Sequence, residues 1–185
     1  MHQQVGAPAG VGTETGAGRA VAGDVVAEAR RTAVEALSGL EELLGRITDA
    51  DLHRAHPDGG WTCAQVVSHV HLSALLWVAD LARLAQAGQH TFMYREELGH
   101  DALGAPPHST QEAVGRVASA RVALETCLPL VDEATLVKDL EVPPFGTMTL
   151  DVWMPLLIGH LVGHVQQIEG ILASRGRTPP GLTPG

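Results

Sequence analysis

From Thr62 to Ala87 the chain contains neither glycine nor proline, and Gly88 closes the run. Thr62-Cys63-Ala64-Gln65 reads as a capping box at its head, the Thr hydroxyl and the Gln side chain each satisfying a backbone N–H that the first turn leaves unpaired. This segment is expected to be one long helix. A chain of 185 residues is long enough for one domain with a real core and short for two, so other rods must pack against it. Aromatic residues make up only 3% while apolar residues reach 45%, so the core has to be built from Leu, Val and Ala. That balance favours helices throughout.

Periodicity supplies three more. From Asp24 to Ile47, the residues Val26, Ala33, Leu37, Leu40, Leu44 and Ile47 follow a helical period, with Asp24 placed as N-cap. Ser109-Thr110-Gln111-Glu112 is a second capping box, opening a helix that runs to about Leu128 and stops before Pro129. A last helix is expected from near Thr149 to about Ser174, with Pro155 kinking or delaying it through the backbone bond a proline cannot make. Four helices joined by long crossings point to an α-helical bundle, whose sites are commonly built from side chains on facing helices.

The connections differ in kind. Residues 48–60 are rich in turn-formers, and 131–148 read as irregular with room for a short extended piece. Residues 89–108 are too long for a simple turn, a length usual for functional lids or mobile segments. Residues 1–20, rich in Gly, Ala, Thr and Gln, are expected to be a disordered tail, 21–176 the helical domain, and 177–185 a flexible tail.

Charge and composition exclude several functions. With 12 basic against 21 acidic residues and a formal net charge of −9, the chain lacks the clustered Lys and Arg that bind a phosphate backbone, so nucleic acid is not an expected partner. No apolar run approaches the ~20 residues that span a bilayer, and the first residues lack the order of a secretory signal. The expected location is the cytoplasm, and no membrane partner is expected. Cys63 and Cys127 have neither metal-like nor redox-motif spacing and are read as reduced thiols.

Chemistry concentrates in three of the ten histidines. His160 and His164 stand four residues apart on the last helix, a spacing that leaves two side chains only ~40° apart around the axis and ~6 Å along it. They fall on the stripe of Trp153, Leu157, Ile168 and Ile171, and so are expected to face inward. His69, about two turns into the helix that starts at Thr62, is the candidate third member. Sheltered imidazoles need partners for their nitrogens, and a divalent ion held by neutral rings supplies one, the alternative being a hydrogen-bonded structural pair. Three imidazoles with one open position suit a catalytic zinc, and nickel or iron(II) are also compatible. The pair lacks the Glu that follows the first His in zinc peptidases, Leu161 standing there instead, so activation of a bound thiol fits better than metal-assisted peptide hydrolysis.

Other residues carry weaker expectations. Asp80 and Asp151 could orient ligand rings, Arg121 could meet an anionic substrate, and His71 is expected on the solvent side. Gly159, Gly163 and Gly170 are read as keeping the last helix slim, for close packing or for space beside the metal.

Asp49-Ala50-Asp51-Leu52, then Gly60-Trp61-Thr62 with His69 eight residues after the Trp, then His160-x-x-x-His164-x-x-Gln167-Ile168 form an ordered set. Over roughly residues 24–174 the chain resembles the DinB-like superfamily, which includes the bacillithiol-transferase-like proteins and the N-terminal domain of mycothiol-dependent maleylpyruvate isomerases. The resemblance implies an all-α, up-down-down-up four-helix bundle, often a homodimer, with a divalent metal held by three histidines; His69, His160 and His164 match the ligand positions. It also implies a low-molecular-weight thiol such as mycothiol as cosubstrate, in S-transfer to a small electrophile or in cis–trans isomerisation. Other expectations are a metal-dependent lyase, cyclase or hydrolase, and a non-catalytic, stress-associated metal-binding module.

Overall fold

Six α-helices, one 3-10 turn and a two-stranded hairpin make up the described residues of the computed structural model, which are 15–56, 59–87, 104–142 and 145–174. The helices are α1 (Thr15–Leu44), α2 (Asp49–Leu52), α3 (Cys63–Ala87), α4 (Thr110–Cys127), α5 (Glu133–Leu136) and α6 (Leu150–Ala173). The 3-10 turn spans Leu128–Leu130, and strands β1 (Asp139–Val142) and β2 (Gly146–Thr149) pair antiparallel. Four long helices form the bundle, and the short elements fill its connections.

Local sequence explains where the rods begin. At the head of α3, Thr62 N–H donates to Gln65 Oε1 at 2.8 Å and Gln65 N–H to Thr62 Oγ1 at 3.2 Å, the reciprocal box expected from the sequence. Thr62→Ala should cost ~1 kcal/mol, read as a lowered urea midpoint at unchanged slope. At α4 only half the box forms: Glu112 N–H donates to Ser109 Oγ at 3.2 Å, while the Glu112 carboxylate accepts from His108 N–H at 2.8 Å and from Arg116 at 2.6 Å. Those two donors hold its carboxyl below the usual range.

Three boundaries differ from the expectation. Helix α1 starts at Thr15, so Asp24 lies in its body instead of capping it, and residues 15–20 of the expected tail are helical. Once a helix is nucleated, adding alanine-rich turns needs no buried apolar side chain. Pro155 neither delays nor ends α6, which begins at Leu150 and carries the proline on an exposed face. The 131–148 stretch is more ordered than expected: Asp132 caps α5 by accepting from Thr135 N–H at 2.8 Å, and the hairpin after it buries Leu140 and Val142. Gly146 turns that hairpin with φ 87°, a conformation that suits glycine. Residues 1–14 and 175–185 lie outside the described residues, as do 88–103, which hold most of the expected lid.

Cross-links between helices fix their directions. Asp49 accepts from Thr110 N–H at 2.7 Å, Glu41 pairs with Arg121 at 2.6 Å, and Arg30 pairs with Glu125 at 3.2 Å, so α1 and α4 run antiparallel. His71 faces Arg116, and Cys127 Sγ lies 3.6 Å from the Val78 carbonyl, so α3 and α4 run parallel. Trp61 meets His164 and Trp77 meets His160, making α3 and α6 antiparallel. Taken in chain order, the long helices run up, down, down and up. Each contacts two others, α1 and α3 both touching α4 and α6.

This topology accounts for the length of the connection between α3 and α4. Parallel α3 and α4 oblige the chain to travel back along the whole of α3, whose 25 residues rise about 37 Å. A short loop could not do so. The core between the rods is aliphatic, with Leu37, Leu40 and Leu44 of α1, Leu81 and Leu84 of α3, Leu124 of α4 and Leu161 and Ile168 of α6 all buried. Arg121, expected as a substrate contact, is instead committed to Glu41 across the α1–α4 seam, which raises its pKa.

Candidate metal centre

Antiparallel packing of α3 on α6 sets His69 opposite His160 and His164. His160 Nε2 lies 3.0 Å from His69 Nε2 and 3.1 Å from His164 Nε2. One ligand atom from each ring falls within 4.8 Å of the others. The rings stand edge to face, with centroids 4.4 Å apart for both His69–His164 and His160–His164. Nitrogens bound to one tetrahedral zinc at ~2.0–2.1 Å lie ~3.3 Å from each other, close to the two short separations here. The three sequence-selected histidines are therefore brought together in an arrangement that can hold a metal.

The donor chemistry passes the same test. A ring nitrogen carries either one proton or one lone pair, yet His160 Nε2 faces two other Nε2 atoms at hydrogen-bonding distance. A single cation satisfies three lone pairs at once, which a single proton cannot. Partial desolvation of its ring pushes the His160 imidazole below its usual pKa, with His164 adding to the shift. Burial lowers His164 as well, against an opposing contribution from Gln167. Both rings thus favour the neutral form, which is the ligand form.

The walls are aromatic and apolar. Trp61 stacks on His164 with centroids 5.8 Å apart and an interplanar angle of 12°, and it leans on His69 at 4.9 Å. Trp77 meets the edge of His160 at 6.0 Å. Leu161, where a zinc peptidase has its catalytic Glu, is buried in the core. Among the described residues the metal-type cluster contains three imidazoles and neither a carboxylate nor a thiol.

Several expectations about the surroundings are corrected. The histidines do not face the closed core: His160 is exposed, and His69 and His164 are half-buried. At about 100° per residue, the buried centre of α6 lies along Met154, Leu161, Val165, Ile168 and Leu172, and the two histidines stand on its flank. His71 is half-buried instead of solvent-facing, its pKa lowered by burial and by Arg116. Asp80 pairs with Arg83, and Asp151 makes no hydrogen bond to any of the three rings. On His164 the neighbouring polar group is Gln167, whose Oε1 lies 2.8 Å from Nδ1 and is placed to accept a proton from it. Its place in the spacing after His164 was visible in the sequence, but its role was not.

The glycines of α6 do not serve the close packing expected of them. A Cβ built on Gly159, Gly163 or Gly170 meets nothing within 4 Å, so none of them makes room for a neighbouring helix. Gly159 and Gly163 line a cavity of about 640 Å³ between α1 and α6, with Val25, Ala29 and Ile158. It opens on the side of α6 away from the histidines and is separate from the centre. Both cysteines are buried and unbridged, and burial raises the Cys127 thiol. No described helix is long and apolar enough to cross a membrane.

The family model of the DinB superfamily matches residues 32–168, a span that contains the three clustered histidines and the Trp61 and Trp77 that wall them. No curated protein matches the chain.

Proposed function

The chain belongs to the DinB superfamily, and on that premise we propose that it is a divalent-metal enzyme using a low-molecular-weight thiol of the mycothiol type, either in S-transfer to a small electrophile or in a thiol-dependent isomerisation. The convergence of His69, His160 and His164 Nε2 atoms carries this reading. These three would hold the ion, zinc being the best match to three neutral imidazoles and an open corner, with nickel and iron(II) also accommodated. A divalent ion there would supply the positive charge that makes a thiol nucleophilic at neutral pH, a task otherwise left to a general base.

The chain's own residues support that division of labour. The cluster offers no carboxylate as general base, so a bound nucleophile would release its proton to solvent, which a thiol, already far more acidic than water, does more readily. The exposed flank of His160 leaves a route for small molecules, and Trp61 and Trp77 give apolar walls on either side. Cytoplasmic residence, where small thiols are kept reduced, and a homodimeric assembly complete the proposal.

The test begins with elemental analysis of purified protein. Zinc-loaded protein is then incubated with mycothiol, bacillithiol or glutathione and a panel of small electrophiles, and alkylated thiol is measured. Turnover dependent on one thiol and abolished by chelation is expected. Metal-dependent turnover that ignores thiols would replace this reading with a lyase, cyclase or hydrolase. Bound metal without turnover or thiol binding would replace it with a metal-binding module.

A further inference from the structure

The bond between His164 and Gln167 fixes more than a ring position. An amide oxygen has no proton to give, so in the 2.8 Å contact the proton belongs to His164 Nδ1. A neutral imidazole has only one ring proton. Held on Nδ1, it leaves Nε2 as a bare lone pair, and Nε2 is the atom 3.1 Å from His160 Nε2. Trp61, stacked on the same ring at an interplanar angle of 12°, obstructs the rotation that would exchange the two nitrogens. The contact with Gln167 favours the proton on Nδ1, and Trp61 packs against the face of the same ring.

We propose that Gln167 is the positioning residue of the centre, holding His164 in the Nδ1–H tautomer so that Nε2 is ready for the metal before any ion arrives. The inference rests on the metal reading given above and adds a residue to it. In metal sites the second nitrogen of a ligand histidine usually donates to a carboxylate, a backbone carbonyl or water, and that partner sets the ring's tautomer and basicity. Here the partner is a neutral amide. It orients the ring without adding negative charge, so an ion held by three neutral imidazoles would keep its full charge.

Two variants separate orientation from charge. Gln167→Met keeps the length of the side chain and removes the acceptor, and Gln167→Glu restores an acceptor and adds charge. Gln167 is exposed, so neither change opens a cavity. In metal-free protein labelled with 15N in histidine, long-range 1H–15N correlations should show Nδ1–H for His164 in the wild type and in Gln167→Glu, and a mixture of tautomers in Gln167→Met. In competition with a chromophoric chelator, Gln167→Met should bind zinc ~10–100-fold more weakly, and Gln167→Glu at least as tightly as the wild type. Thermal midpoints of the metal-free proteins should coincide, which a merely structural role would not predict. A wild-type His164 protonated on Nε2, or a Gln167→Met variant with wild-type tautomer and zinc affinity, overturns the proposal. Failure of the wild type to bind zinc would overturn the metal reading instead, and the tautomer measurement, made without metal, still decides what Gln167 does to the ring.

Discussion

Replacing His160 with alanine should weaken zinc binding by more than about a hundredfold and leave the metal-free fold intact. Its Nε2 lies within hydrogen-bonding distance of both others, 3.0 Å from His69 and 3.1 Å from His164. Removing it leaves two imidazoles that no longer share a neighbour, so the loss should exceed the ~10–100-fold typical of disturbing a group outside the ligand set. The fold should not suffer, because His160 is exposed and alanine is the better helix former. Chelator competition reads the first effect and urea unfolding of the metal-free protein the second. Zinc affinity within tenfold of wild type would show that these three rings are not the binding site.

Truncating Leu124 to alanine should do the reverse, lowering stability steeply without touching the centre. Leu124 is 1% exposed on α4, the helix that packs on both α1 and α3. Removing a buried leucine side chain costs ~2–5 kcal/mol through lost burial and the cavity left behind. For a domain of this size each kcal/mol moves the thermal midpoint by roughly 2–4 °C, so a fall of about 4–20 °C is expected. Val122, two residues earlier and 53% exposed, is the control: Val122→Ala should change stability by no more than ~0.5 kcal/mol. Equal losses at the two positions would mean that α4 presents a different face to the core.

What could be read from the residues was whatever is decided within a few positions along the chain. The Thr62–Gln65 box and the His160–His164 spacing are local, and both stand as expected. His69 could be put forward as the third member, and the ordered motifs resembling a known superfamily supported that choice, but nothing in its own helix indicates what lies across from it. The hairpin was read only as irregular chain with room for an extended piece, since two four-residue strands carry too little pattern. The start of α1 was missed because alanine and glycine give no amphipathic stripe. The exposure of His160 was misjudged for a geometric reason: a stripe drawn through Trp153 and Leu157 is displaced around the helix from the true centre of burial at Leu161 and Val165. Arg121 was misread because its partner Glu41 lies on another helix, and the same blindness to distant partners left the role of Gln167 unread.

The donors of the centre are drawn from positions 91 apart in the chain, one on α3 and two on α6. Synthesis delivers the amino-terminal helices first, so His69 leaves the ribosome long before its companions exist. A nascent chain cannot present three nitrogens to an ion until the last rod has docked. An ion captured by all three rings would therefore favour the finished bundle: by mass action it would stabilise the completed fold over partly assembled ones that offer fewer nitrogens, and loading would report that assembly has run to its end.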